Sequence, residues 1–134
     1  MSTIAENIAA IRARIDTAAR TTGRTGADIT LVAAQGAYTG APLHFIGHLQ
    51  TNKVRQVVGK VDLIQSVDSP ELLAMIEKRA AGQGIVQDIL LEVNIGGEEA
   101  KSGFAPESLE QAAEEAKKCA NVRVRGLMCI PPVA

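Results

Sequence analysis

Two histidines, two amides and a lysine crowd into one short stretch. LHFIGHLQTNK, residues 43–53, carries His44, His48, Gln50, Asn52 and Lys53. An imidazole titrates near neutrality, so either histidine could act as a general base. A metal ion would need further ligands, and chain topology offers Asp68 as the nearest one. His44 alternates with Phe45 inside an apolar run and His48 follows a glycine, so no metal is expected. Thr51 and Asn52 suit the N-cap of a helix holding Val54–Val58. They would satisfy free backbone N–H groups there or help that helix start face an anionic or polar ligand group.

A second stretch, NIGGEEAKSGF at 94–104, looks at first like a phosphate loop. It lacks the G-x-x-x-x-G-K-S/T spacing, and Glu98 and Glu99 would repel phosphate. Lys101 remains of interest, because a lysine at a strand end can pair with an anionic ligand oxygen. Cys119 and Cys129 match neither a metal spacing nor a small disulfide scaffold. They read as reduced packing residues of a cytoplasmic protein.

These residues must be held by something, and hydrophobic periodicity says what. Thr3 and Glu6 form a capping-box pair ahead of Ile4, Ile8, Ile11 and Ile15, which predicts a helix over 3–20. Short apolar runs at 29–34, 43–47, 61–68, 88–95 and 122–130 read as strands. Between them, Val54, Val57 and Val58 share a helical face. Ser69 and Pro70 open a helix carrying Leu72, Leu73 and Ile76 to a stop at Gly82. Pro106 opens another, with Leu109, Ala112, Ala113 and Ala116 facing inward.

Strands that alternate with helices and lack hairpin turns predict βαβ units and a parallel sheet. In such sheets the chemistry gathers at the carboxyl ends of the strands. Those ends are Gly47–His48, Ser66–Asp68, Asn94–Ile95 and Met128–Ile130, so the segment from His48 to Lys53 falls on the functional rim.

Composition bounds the rest. The chain has 134 residues, 46% of them hydrophobic, and a formal net charge of −1. That size suits one domain, and the apolar content excludes disorder as its default state. Aromatics make up 2% of the residues, so Ile, Leu, Val and Ala must build the core. There is no basic stripe and no stacking platform, which argues against nucleic acid as a partner. No apolar run approaches a membrane span, and the N-terminus lacks the pattern of a signal peptide.

Taken together, HFIGHLQTNK (44–53), SVDS (66–69), VNIGGEEAKSGF (93–104) and RGLMCIP (125–131) resemble the pyridoxal-phosphate homeostasis protein family, the YggS-like proteins. IAENIAAIRARI followed by ITLVA is similar to that family's opening. The resemblance implies a (β/α)8 TIM-type barrel related to the alanine racemase barrel. It implies binding of pyridoxal 5′-phosphate (PLP) through a Schiff-base lysine at the end of the first strand. It further implies a carrier or buffer of PLP with no established turnover, whose partners are PLP and PLP-dependent apoenzymes. His44, Ile46, Asn52, Lys101 and Met128 are the expected PLP-facing residues, assigned by motif and strand-end position. No catalytic residue is expected.

The sequence departs from that family in three places. The first strand runs into LVAAQGAYTG (31–40), with Ala34 and Gln35 where the Schiff-base lysine belongs, and no lysine occurs before Lys53. The family's next helix and strand are absent, and the chain stops after what resembles the sixth barrel strand. Residues 1–134 are therefore expected to form a single partial (β/α) barrel domain, with five strands where closure takes eight. The join between Ala33 and Ala34 reads as an excision, from a true deletion or from a longer parent protein. Covalent PLP attachment in the family's manner is not expected in this chain. Two other functions fit the same residues: a racemase- or decarboxylase-like PLP enzyme, and a remnant that binds no cofactor.

Overall fold

Short runs of Ile, Leu and Val assemble here into a parallel sheet. The computed structural model describes residues 3–29, 31, 33–34, 42–96 and 102–132. The chain divides into two compact units, Met1–Val32 and Ala33–Ala134. In the second, five strands follow one another in chain order and in space. They are β1 (Ala33–Ala34), β2 (Leu43–Phe45), β3 (Leu63–Val67), β4 (Gln87–Glu92) and β5 (Val122–Met128). Every pairing is parallel.

Each strand lies inside the run expected to form it or begins one residue before it, and the ends are shorter than the apolar runs. Sequential parallel order is what successive βα units produce, and it makes the fold an incomplete (β/α) barrel. Register slips occur between Ile64 and Val67 on β3 and between Ile89 and Leu90 on β4. Each slip admits one extra residue on one strand, which bends the ladder locally.

Three helices follow β2, β3 and β4: α2 (Val54–Val57), α3 (Pro70–Gln83) and α4 (Leu109–Lys117). They pack on one face of the sheet. Ile64, Val67, Ile89 and Leu91 from the strands meet Val54 and Val57, then Leu72, Leu73, Ile76 and Ala80, then Ala112 and Ala116. Leu109 and Ala113 are half-buried beside them. Phe104 is buried in this largely aliphatic core, and Phe45 packs half-buried against it. Strand alternation sends Asp88, Leu90 and Glu92 to the opposite face.

Local chemistry sets the helix ends. Ser69 Oγ accepts a hydrogen bond from Leu72 N at 3.1 Å, and Pro70 occupies the first turn. The helix stops at Gly84 rather than at Gly82, because Gly84 takes the left-handed conformation (φ +67°) that ends a helix without strain. Thr51 and Asn52 are not caps. They lie inside a 3-10 turn, Thr51–Lys53, and α2 begins after Lys53 with no side-chain cap. Pro106–Ser108 forms a further 3-10 turn ahead of α4. Cys119 packs against the core, whereas Cys129 is exposed, so the packing expected of both holds for Cys119 alone.

In the first unit, α1 (Ile4–Arg20) starts with the Thr3–Glu6 capping box in both directions. Asp16 accepts from Arg20 Nε and from Gly26 N, each at 2.8 Å, which pins the following turn to the helix. Ile11 on this helix is 46% exposed.

Polar groups at the amino ends of the strands are paired. Gln87 is buried, yet its Oε1 accepts from Gly59 N and its Nε2 donates to the carbonyls of Val61 and Asp88. Arg123 grips Asp88 through two nitrogens, at 2.8 and 3.1 Å. Near the carboxyl end of β3, Ser66 Oγ is buried with no hydrogen-bond partner among the described residues. An unpaired buried hydroxyl costs free energy, so Ser66→Ala is expected to raise stability by about 1 kcal/mol. Ile76→Ala, which empties a fully buried site, is expected to lower it by about 2–5 kcal/mol. Urea unfolding of both variants checks the pair. A loss on Ser66→Ala would show that the hydroxyl has a partner.

Candidate functional site

The carboxyl ends of the strands differ from the amino ends in how their polar groups are satisfied. Glu92 is the last residue of β4 and is 7% exposed. Its carboxylate makes no hydrogen bond among the described residues. His48, just past β2, places Nδ1 3.4 Å from Asp68 Oδ2 just past β3. The His48 ring is largely open to solvent, while Asp68 is mostly buried. Burial pushes the Glu92 carboxyl above the usual carboxylate range, the nearby Asp68 charge adds to this, and His48 opposes it.

Glu92 and His48 border a cleft of about 340 Å³, lined also by Ile46, Gly47, Val93, Asn94, Ser102 and Ile130. Its polar groups sit among three aliphatic side chains, and no Lys or Arg is among the described residues that line it. The described lining can accept hydrogen bonds from a ligand.

The backbone fixes the floor of this cleft. Val93 N donates to Met128 O at 2.8 Å, Phe104 N to Glu92 O at 2.7 Å, and Asn94 N to Phe104 O at 2.9 Å. The segment entering α4 is thus stitched to the end of β4. This close approach requires Gly103: its φ is +126°, and a β-carbon there would lie 2.6 Å from Asn94 N.

The residues expected from the sequence occupy different places. Ile46 lines the cleft, and Met128 pairs in register with Glu92, at the same level of the sheet. His44 lies lower on β2, half-buried, with its Nδ1 hydrogen-bonded to the Gln65 side-chain amide at 2.7 Å. Asn52 lines a separate groove with Arg55, Lys78 and Arg79, between α2 and α3. Lys101, with residues 97–100, lies outside the described residues. Glu92 was not singled out from the sequence. Its signal was there, in a carboxylate set between Leu91 and Val93 in the run DILLEVNI.

Residues 9–134 match the family described as alanine racemase, N-terminal domain. A pyridoxal phosphate homeostasis protein of Aquifex aeolicus is 55% identical over 89 residues, which are 66% of this chain and 39% of that protein. The protein of the same name from Pseudomonas aeruginosa is 36% identical over 165 residues, covering 98% of this chain and 71% of that protein. This alignment is longer than the 134-residue chain, so the relative has internal sequence with no counterpart here. PipY of Synechococcus elongatus, solved with PLP bound, is 31% identical with a TM-score of 0.63, over 70% of this chain and 43% of PipY. This chain thus spans well under half the length of two of these three proteins.

The raised Glu92 carboxyl has a consequence for stability. The folded state keeps this proton to higher pH than the unfolded chain does. Stability contributed by Glu92 is therefore complete below the ordinary carboxylate range and falls as pH rises through the raised folded value. Glu92→Gln removes that loss. Urea unfolding should show wild type and variant nearly equal at about pH 3, with the variant pulling ahead as pH rises to neutrality. A wild type that gains on the variant over this range would contradict the raised value.

Proposed function

The chain belongs to the pyridoxal phosphate homeostasis protein family, and we propose on that premise that it serves intracellular PLP balance as a binder and carrier, not as an enzyme. The observation that carries this reading is the likeness of its parallel sheet to PipY with PLP bound. The relatives' shared name points the same way. On this reading the protein works in the cytoplasm, residues 1–134 contribute one partial barrel domain, and its partners are PLP and PLP-dependent apoenzymes. No helix among the described residues is long and apolar enough to cross a membrane.

Covalent anchorage of PLP does not fit this chain. β1 is Ala33–Ala34, and residues 1–52 contain no lysine. A Schiff base needs a primary amine at that strand end, and an alanine methyl cannot replace it. Lys53 belongs instead to the exposed turn before α2. No chemical step on the cofactor is therefore assigned to these residues, and their contribution is one wall of the cofactor site. Ile46 and Met128 contribute apolar surface at the rim, and His44 supplies an imidazole below it. Asn52, which lines the groove with Arg55, Lys78 and Arg79, and Lys101 belong to the proposed set by motif.

Deleting the gene in the source cells should shift the ratio of free PLP to pyridoxal at least twofold. An unchanged ratio would overturn the homeostasis reading. Borohydride treatment of the purified protein after PLP addition, followed by peptide mass analysis, should give no pyridoxyl adduct within residues 29–42. An adduct there would overturn the non-covalent assignment.

A further inference from the structure

Between α2 and α3 runs a groove of about 540 Å³ whose charge is all of one sign. Arg55 comes from α2, and Lys78 and Arg79 from α3. No Asp or Glu is among the described residues that line it. None of the three basic side chains makes a hydrogen bond or ion pair with a described residue, whereas Arg20, Lys117, Lys118 and Arg123 each pair with a carboxylate. Compensation of the helix dipole does not account for Lys78 and Arg79, because the last turn of α3 holds no basic residue. Three like charges on neighbouring helices repel one another, and an anionic partner removes that cost.

Gly82 supplies a second, independent observation. It lies inside α3, about one turn beyond Lys78 and Arg79 on the same face, and lines the groove with them. A glycine within a helix weakens that helix. Neither conformation nor packing requires one here, since the backbone is helical and a β-carbon would meet no described atom within 4 Å. The missing side chain instead keeps the groove open beside the basic residues, as glycine does where another molecule comes close to the backbone. Met75, one turn earlier on that face, is 41% exposed, and Val54 also lines the groove. The groove thus offers apolar contact beside its charges, and a thioether adapts to varied partner surfaces.

Exposure and charge select the occupant. Arg55, Lys78 and Arg79 are all exposed, so a small anion would pair with them in water and gain little. A protein segment covers them as it docks, which strengthens each pair by excluding solvent. A single-stranded nucleic acid needs stacking partners, and no aromatic side chain is among the described residues that line the groove. The chain's own acidic helix is a poor occupant, because Glu114 and Glu115 already pair with Lys117 and Lys118. We propose that the α2–α3 groove docks an acidic segment of a partner protein, with carboxylates on Arg55, Lys78 and Arg79 and an apolar side chain laid on Met75 beside Gly82. Docking needs no PLP, and the variants that test it touch no residue of the proposed cofactor set, so this inference and the cofactor reading fail separately.

The probe is a fluorescein-labelled helical peptide of Glu and Leu, about 15 residues long, titrated with the full chain at low salt without PLP and followed by anisotropy. Saturable binding is expected, at least tenfold weaker for the same peptide with Lys in place of Glu. Lys78→Glu with Arg79→Glu should weaken it at least tenfold, whereas the same charge change on α4, Lys117→Glu with Lys118→Glu, should leave it within threefold of wild type. Gly82→Gln, which fills the groove and keeps its charges, should weaken binding at least threefold while the urea midpoint stays at or above that of wild type. Circular dichroism of every variant confirms that it folds. Four results would each overturn the proposal: no saturable binding to the wild-type chain, equal losses from the two charge-reversed pairs, Gly82→Gln binding as tightly as wild type, or a polyuridine oligonucleotide of matched charge bound more tightly than the peptide, which would assign the groove to nucleic acid.

Discussion

β4 is the strand on which the sheet unit depends. It is held on both sides by parallel ladders, to β3 and to β5, and its residues alternate between a helix-packed face and an open one. Ile89 and Leu91 are fully buried against the helices. A strand so placed cannot slip by one residue without turning its apolar set away from the core. That constraint fixes Gln87 at one end and Glu92 at the other. The two ends then diverge in chemistry. The amino end closes on itself through side-chain hydrogen bonds, and the carboxyl end leaves a carboxyl beside a cleft.

The division matches a general property of parallel βα architecture, in which one end of the strands serves stability and the other serves ligands. At the stability end, Arg123 and Asp88 pair, Leu43 N donates to Asp62, and Asn121 joins Glu77 to the carbonyl of Ile85. At the ligand end, connections are made mostly by backbone. Gly103 allows the chain to fold back on β4 where any side chain would collide. The apolar side chains left exposed there and along β5, Ile46, Ile95, Leu127 and Ile130 among them, form a surface that a full barrel would cover or a ligand would use.

Most of this frame was legible in the sequence, because its determinants are local. Thr3 with Glu6, Ser69 with Pro70, and the Leu109–Ala116 stripe each act within a few residues, and each element starts or faces as they dictate. The apolar runs located all five strands for the same reason. Local signals failed where two candidates competed. Gly82 and Gly84 both suit a helix end, and only the conformation actually reached by Gly84 decides between them. Thr51 and Asn52 have capping chemistry, but the chain enters α2 through a 3-10 turn that leaves them no role as caps. The site was harder still. The His48–Asp68 contact joins the ends of two strands, and the surroundings of Glu92 come from segments far apart in the chain, 46–48, 102 and 130. Neither is encoded by spacing within one stretch. The family was legible from its strings of residues, and so was the lack of any lysine before Lys53.

A Glu92 carboxyl held above the ordinary carboxylate range by burial and by the nearby Asp68 charge is the central claim about this site, and its titration is directly measurable. Carbon-13 NMR of the glutamate side-chain carboxyls, with Glu92 assigned by comparison with Glu92→Gln, gives the midpoint. A Glu92 resonance that titrates clearly above the other glutamates is the predicted result. A midpoint in the ordinary carboxylate range would mean that Glu92 is solvated or already paired, and the cleft would lose the group that defines it.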